Sequence, residues 1–330
     1  MLDQVLEIFQ IRADHDLDLM LPGQTLFQST SRILAGLEGV FDAVNPGIVV
    51  VQGDTTTTLC GALAGFYRNV PVAHVEAGLR TGDIRQPFPE EINRVLASRM
   101  TALHFAATPW AAENLRNEGI AGNTIFVTGN TGIDAVLYVR DELEKGRLTA
   151  PVSPPLDATR RPIVVTAHRR ESFGPGFDRI CKALVMLAAR EDVQIVYPVH
   201  PNPNVRAAVD RLLRGRANIL LLDPLDYLSF IDLMRKAAIL ITDSGGIQEE
   251  GPSLGKPVLV LREKTERPEA VTAGTVRLVG TDEAAIVREA SKLLDDPNTY
   301  NAMARRHNPY GDGHASARIA DALVGFSTSR

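Results

Sequence analysis

Three carboxylates in the first third of the chain stand where acid/base chemistry would need them. Asp54 follows the apolar run 48–51 in Gln52-Gly53-Asp54-Thr55-Thr56-Thr57-Thr58. Glu76 follows the run 70–73 in His74-Val75-Glu76-Ala77-Gly78-Leu79-Arg80, and Glu90 stands just behind Pro89 in Gln86-Pro87-Phe88-Pro89-Glu90-Glu91-Ile92-Asn93-Arg94. If each run is a buried parallel strand, the three groups come from successive strand-to-helix loops and converge on one sheet edge. Proton transfer at carbon needs such groups, in environments that push their pKa values apart. Blander roles compete. Asp54 could cap the Thr-rich helix start, and Glu90 and Glu91 could complement a positive helix terminus. His74 beside Glu76 raises the question of a metal, but no third ligand follows at helical spacing, and the sequence leads us to expect none.

The second half carries anion chemistry. The run 163–166 leads into His168-Arg169-Arg170-Glu171-Ser172-Phe173-Gly174, a histidine and two arginines in a strand-to-helix loop, suited to phosphate oxygens. The sharpest local signal is Thr242-Asp243-Ser244-Gly245-Gly246-Ile247-Gln248-Glu249-Glu250. Ser244, Gly245 and Gly246 let backbone approach a ligand at the start of a helix, offering free N–H groups to a diphosphate. Glu250 is expected near the first turn, in reach of ribose hydroxyls, and Arg267 in Thr265-Glu266-Arg267-Pro268-Glu269 is a second group for the diphosphate. Gly174-Pro175-Gly176 lacks the third glycine of a dinucleotide fingerprint and does not directly follow a strand. No nicotinamide or other cofactor is therefore expected.

Short, continuously apolar runs must position these residues. They lie at 48–51, 70–73, 125–128, 163–166, 194–197, 219–222, 238–241 and 257–261, separated by amphipathic stretches such as 25–44, 111–118 and 177–189. Such alternation predicts an α/β protein with open parallel sheets covered by helices on both faces. Four prolines in 149–162, Pro151, Pro154, Pro155 and Pro162, argue against a helix or central strand there. The expected organisation is a first Rossmann-like domain over 1–148, a linker over 149–162 and a second domain over 163–330, with ligands bound between the carboxyl ends of two sheets. The last helix is expected to pack back on the first domain.

The chain of 330 residues is 45% hydrophobic, 23% charged and 5% aromatic, with a net charge of −5. That composition belongs to ordinary globular proteins and excludes disordered and fibrous classes. The acidic balance gives no reason to expect nucleic acid as a partner. Cys60 and Cys181 give neither a metal spacing nor a disulfide framework. No apolar run approaches the ~20 residues of a membrane span, and the first residues lack the pattern of a signal peptide. A cytoplasmic protein with no membrane partner is the expectation.

Taken together, Gly53-Asp54-Thr55-Thr56-Thr57-Thr58, His74 to Arg80, Pro89-Glu90-Glu91 and His168-Arg169-Arg170-Glu171 resemble one pattern. So do Tyr197-Pro198-Val199-His200-Pro201-Asn202-Pro203, Thr242 to Glu250, Thr265 to Glu269 and Asn308-Pro309-Tyr310-Gly311-Asp312-Gly313. In order and over essentially the whole chain, they resemble the bacterial non-hydrolysing UDP-N-acetylglucosamine 2-epimerases. The resemblance implies a glycosyltransferase-B-type fold, two Rossmann-like doubly wound domains facing across a cleft, and a homodimer. It implies proton transfer at the sugar by Asp54, Glu76 and Glu90, with His168 facing the diphosphate. It implies UDP binding by Ser244, Gly245, Gly246, Glu250 and Arg267, with Phe230 beside the uracil. The implied reaction equilibrates UDP-N-acetylglucosamine with UDP-N-acetylmannosamine for bacterial surface polysaccharide.

Two departures stand out. The family's opening strand, ending in Gly-Thr-Arg-Pro-Glu, has no counterpart here, so the first strand–helix–strand of domain one is expected to be missing and the chain poorly active and aggregation-prone. Gly23 stands where some relatives place an arginine tied to a regulatory substrate site. The rival readings are a glycosyltransferase or a hydrolysing epimerase on the same scaffold, or a UDP-sugar-binding protein with little activity.

Overall fold

The computed structural model describes residues 2–169 and 172–328. Its contacts divide the chain into two units. The first comprises Arg12–Thr131 and Tyr310–Arg330, the second Met1–Ile11 and Gly132–Pro309. The proline-rich stretch 149–162 lies inside the second unit, where Val152 N–H donates to Ser229 Oγ at 3.0 Å. Residues 2–11 also join the second unit. Phe9 packs its ring 5.6 Å from Tyr138 and 6.5 Å from Tyr227, which gives this early segment its apolar anchor.

The first unit holds four parallel strands in the order β1-β2-β3-β4: β1 Val49–Gln52, β2 Val72–Ala77, β3 Leu103–Ala106 and β4 Ile125–Val127. Only β3 and the body of β2 are buried on both faces. The edge strands are not: Val50 is 50% exposed and Val127 46%, so a continuous apolar run did not distinguish an edge from a centre. The helix Leu26–Val44 opens with a capping box between Thr25 and Gln28, which satisfies two otherwise orphaned N–H groups. The last helix, Ala315–Thr328, sets Ile319 with Ala322, Leu323 and Phe326 against Ala73, Val75, Leu103 and Phe105 of β2 and β3.

The second unit holds six parallel strands: β5 Arg161–Thr166, β6 Val193–Pro198, β7 Ile219–Leu222, β8 Ile239–Thr242, β9 Val258–Val260 and β10 Val276–Leu278. Their order is β10-β9-β8-β5-β6-β7. This is a doubly wound sheet whose direction of winding reverses between β5 and β8, the place where open α/β sheets receive ligands. Its core joins Ile163, Val165, Ile195, Tyr197, Ile241 and Leu259 of the sheet to Phe177, Ile180, Leu184 and Leu187 of the helix Pro175–Ala188. Pro162 was expected to fall outside any central strand, yet it is the second residue of β5. It is tolerated because the ladder to β8 begins one residue later, at Ile163, while the Pro162 carbonyl still accepts from Ala238 N–H at 2.7 Å.

Candidate active site

In the first unit, β1 ends in Gly53, whose φ of +72° turns the chain out of the sheet without the cost a side chain would bring. The helix Thr56–Tyr67 is capped by Thr55, whose side chain accepts from Thr58 N–H. Asp54 is thereby released from the capping role. Its carboxylate instead meets Arg94 Nη1 at 3.1 Å, and its carbonyl accepts from Asn93 Nδ2 at 2.9 Å. Burial raises the Asp54 pKa above the usual carboxylate range; Arg94 opposes this, and Glu90 and Glu91 add to it.

Glu76 is the penultimate residue of β2, inside the strand rather than beyond it. Its φ is +64°, and the pairing with β3 slips between Val75 and Ala77. This is a bulge, a device that re-aims one side chain, at a left-handed conformation costing a non-glycine residue about 1–2 kcal/mol. It brings the carboxylate to the turn before Asp54: a methyl built on Gly53 would lie 3.5 Å from Glu76 Oε2. Glu90 begins the helix Glu90–Met100, half-buried and close enough to Asp54 to raise its pKa. The three predicted carboxylates therefore come together.

The structure adds Arg94, to which the sequence reading gave no role, and gives Glu91 and His74 roles other than the helix-terminus complement and metal ligand weighed for them. Glu91 is 1% exposed and Arg94 7% exposed. Arg94 binds Glu91 through Nε at 2.8 Å and Nη2 at 2.5 Å, and the Glu91 carboxylate also accepts from the N–H groups of Thr81 and Gly82. The Glu91/Arg94 spacing of three on a helix was the signal that could have found them. His74, fully buried, directs Nε2 to the Gly53 carbonyl at 2.7 Å. Burial pushes its pKa down to about 4, so it is a neutral imidazole donating from Nε2. Among the described residues no three His, Cys, Asp or Glu side chains are grouped to hold a metal ion.

In the second unit, the adjacent strands β5 and β8 end in Thr166 and Thr242, whose hydroxyls lie 2.6 Å apart. Asp243, fully buried, accepts from the backbone N–H groups of His168 and Arg169 at 2.6 and 2.7 Å. His168 Nδ1 stands 3.2 Å from Asp243 Oδ1, a distance for an ion pair in a direction that makes no hydrogen bond. The His168 ring stacks on that of His200, with centroids 5.1 Å apart. Arg170 and Glu171 of the same motif lie outside the described residues.

Ser244 precedes the helix Gly245–Ser253 without capping it by its side chain, so the first-turn N–H groups have no side-chain cap there. A methyl on Gly245 would overlap the Arg267 guanidinium, which places that cation over the positive helix end. Arg267 is held by Glu249 at 2.5 Å and Glu266 at 2.8 Å. Glu250 lies in the second turn, one turn later than expected, with Oε1 3.6 Å from the position of a Gly246 methyl. Burial pushes its pKa up to about 7, with the Glu249 charge adding and Arg267 opposing. Glu250 in turn raises the Tyr227 phenol, already raised chiefly by burial, on the helix Tyr227–Lys236. Phe230 is half-buried on that same helix, three residues on. His168, Ser244, Gly245, Gly246, Glu250 and Arg267 thus gather around the ends of β5 and β8.

Among the described residues no helix is long and apolar enough to cross a membrane. A family profile described as UDP-N-acetylglucosamine 2-epimerase matches residues 1–324. The UDP-N-acetylglucosamine 2-epimerase of Escherichia coli K12 is 55% identical over 328 residues, covering 98% of this chain and 87% of that protein. The crystal structure of UDP-GlcNAc 2-epimerase from Neisseria meningitidis bound to UDP-GlcNAc superposes with a TM-score of 0.88 at 45% identity, covering 98% of this chain and 88% of that one. A structure of S. aureus MnaA with UDP gives a TM-score of 0.86 at 41% identity, covering 99% and 87%. The fold is α/β, built of two Rossmann-like units as in the glycosyltransferase-B type. With the profile spanning nearly every residue and the sequence identity sustained along the whole chain, the protein belongs to the UDP-N-acetylglucosamine 2-epimerase family.

Proposed function

We propose that the protein, an isomerase by family, reversibly inverts C2 of UDP-N-acetylglucosamine to give UDP-N-acetylmannosamine by eliminating and re-adding UDP. The C2 hydrogen is not next to a carbonyl, so direct deprotonation is unfavourable. Elimination avoids this. A base removes the C2 proton while the C1–O bond breaks, its electron pair leaving with the β-phosphate oxygen, and a glycal forms. Re-addition delivers a proton to the opposite face of C2 while the same phosphate oxygen closes on C1. The step needs a base, an acid on the other face, and preorganised charge for the departing diphosphate, which is commonly the largest contribution.

The observation that carries this reading is the gathering at β5 and β8 of the open helix end at Ser244, Gly245 and Gly246, the Arg267 guanidinium above it and His168 beside it. These groups would bind UDP and stabilise it as it leaves, with Glu250 accepting from ribose hydroxyls and Phe230 beside the uracil. Asp54, Glu76 and Glu90 would carry the protons. Their arrangement supports that assignment, since one carboxylate is held by an arginine and another is brought to the adjacent Gly53 turn from a strained bulge. The product would supply bacterial surface polysaccharide, as the resemblance implies.

The test is incubation with UDP-N-acetylglucosamine in D2O, following C2 by NMR. Deuterium should enter at C2 in both sugars, with free UDP and glycal as minor side products. Product that keeps the original C2 hydrogen would refute elimination.

A further inference from the structure

We infer that Arg94 is a positioning residue for Asp54, itself fixed by the buried Glu91, and that this pair aims the Asp54 carboxylate and sets the pH at which it gains its proton. The inference rests on the reading of Asp54 as a proton-transfer group.

The geometry gives Arg94 two jobs that one guanidinium can do because it is a planar fork. Nε and Nη2 grip Glu91 at 2.8 and 2.5 Å, and the remaining nitrogen, Nη1, reaches Asp54 Oδ2 at 3.1 Å. Exposure grades along the chain of contacts. Glu91 and Arg94 are buried, whereas the Asp54 side chain is 31% exposed. The inner pair is therefore scaffold and the outer carboxylate is the group offered to a ligand. Glu91 is anchored in turn by the Thr81 and Gly82 N–H groups, in the loop after the strand that carries Glu76. One buried carboxylate thus ties the Glu76 loop to the arginine that holds Asp54. The backbone on either side of Asp54 is also pinned, by Asn93 on its own carbonyl and by His74 on that of Gly53.

The charges facing Asp54 come from two elements. The helix Glu90–Met100 presents Arg94 against Glu90 and Glu91, and β2 brings the Glu76 carboxylate to Gly53, one residue before, with neutral His74 behind it. Arg94 is the only cation in that set. Without it, burial, Glu90 and Glu91 favour the protonated form, opposed by a backbone hydrogen bond alone.

The experiment compares kcat/KM against pH, with UDP-N-acetylglucosamine as substrate, for the wild type, Arg94→Lys, Arg94→Met and the pair Glu91→Gln/Arg94→Met. The pair serves because Arg94→Met alone strands a buried Glu91 charge. Thermal unfolding followed by circular dichroism reports that the first unit, which carries Arg94, is folded in each variant. In the Met variants kcat should fall at least tenfold with KM little changed, and the pH limb governed by Asp54 should move up by about one unit or more. Arg94→Lys, which keeps the charge and loses the fork, should restore the position of the limb but not the full kcat. Folded Met variants whose profile superimposes on the wild type, while Asp54→Asn is inactive, would overturn the inference. Wild-type turnover in Asp54→Asn would overturn the reading beneath it, and the inference with it.

Discussion

If Glu250 accepts from both ribose hydroxyls, one at each carboxylate oxygen, it must do so ionised, yet burial and Glu249 push its pKa up to about 7. Ligand binding then competes with a proton. Between pH 8 and pH 6 the ionised fraction drops about tenfold, so the Kd for UDP-N-acetylglucosamine should rise about tenfold, or about 1.4 kcal/mol. The assay is calorimetry in an Asp54→Asn background, where turnover is stopped, repeated with Glu250→Gln added. The nucleotide sugar's diphosphate has no proton to gain in this range, and protonating an imidazole beside an anion would act in the opposite direction. The difference in slope between the two proteins therefore isolates Glu250. A stability measurement provides a second arm. Because the folded pKa is raised from 4.5, the protonated carboxyl stabilises the fold most fully below pH 4.5, and that stabilisation is lost as pH rises through about 7. The total is at most about 3 kcal/mol, since part of the side chain remains exposed. Relative to Glu250→Gln, the wild type should lose stability from pH 5 to pH 8. Equal binding slopes in the two proteins, or a wild type that gains stability over the variant as pH rises, would refute the reasoning.

Two further outcomes separate the roles of the units. Arg267→Ala should weaken UDP binding by about 2–5 kcal/mol, because it uncovers the helix end and strands Glu249, while Asp54→Asn should leave UDP binding unchanged and abolish turnover; calorimetry paired with the NMR assay checks both. At the bulge, Glu76→Gly should be more stable than Glu76→Ala by about 1 kcal/mol in denaturant titration, since only glycine relieves φ of +64°, and both should be inactive.

Strand-to-helix alternation was legible because apolar runs and helical periods differ in spacing, and eight of the runs correspond to strands. The two strands not anticipated, β3 and β10, are interrupted by His104 and Arg277. A polar residue inside a short strand erases the apolar signal, although the ladder needs only backbone. The site carboxylates were legible because a polar residue directly after an apolar run stands out. Arg94, Glu91 and Asp243 were less so, since their roles depend on which loops the tertiary fold brings alongside them. Asp243 could be seen as part of a motif, but not as the buried acceptor for the N–H groups of His168 and Arg169. The prolines of 149–162 were legible as irregular chain, but proline content does not say which unit an irregular segment packs upon.

The final helix has a consequence for the order of events during synthesis. The apolar face of β2 and β3 that Ile319, Leu323 and Phe326 cover is made early, and its cover is made last, after the 178 residues of Gly132–Pro309. At about 5–20 residues per second the ribosome needs roughly 10–35 s to cross that interval. Throughout it Ala73, Val75, Leu103 and Phe105 lack their native cover, while the second unit, whose opening segment is already made, can complete its own core. The first unit, whose sheet is made before that of the second, is therefore the one that finishes folding later, and its half-built sheet is the surface most exposed to chaperones and to misassociation.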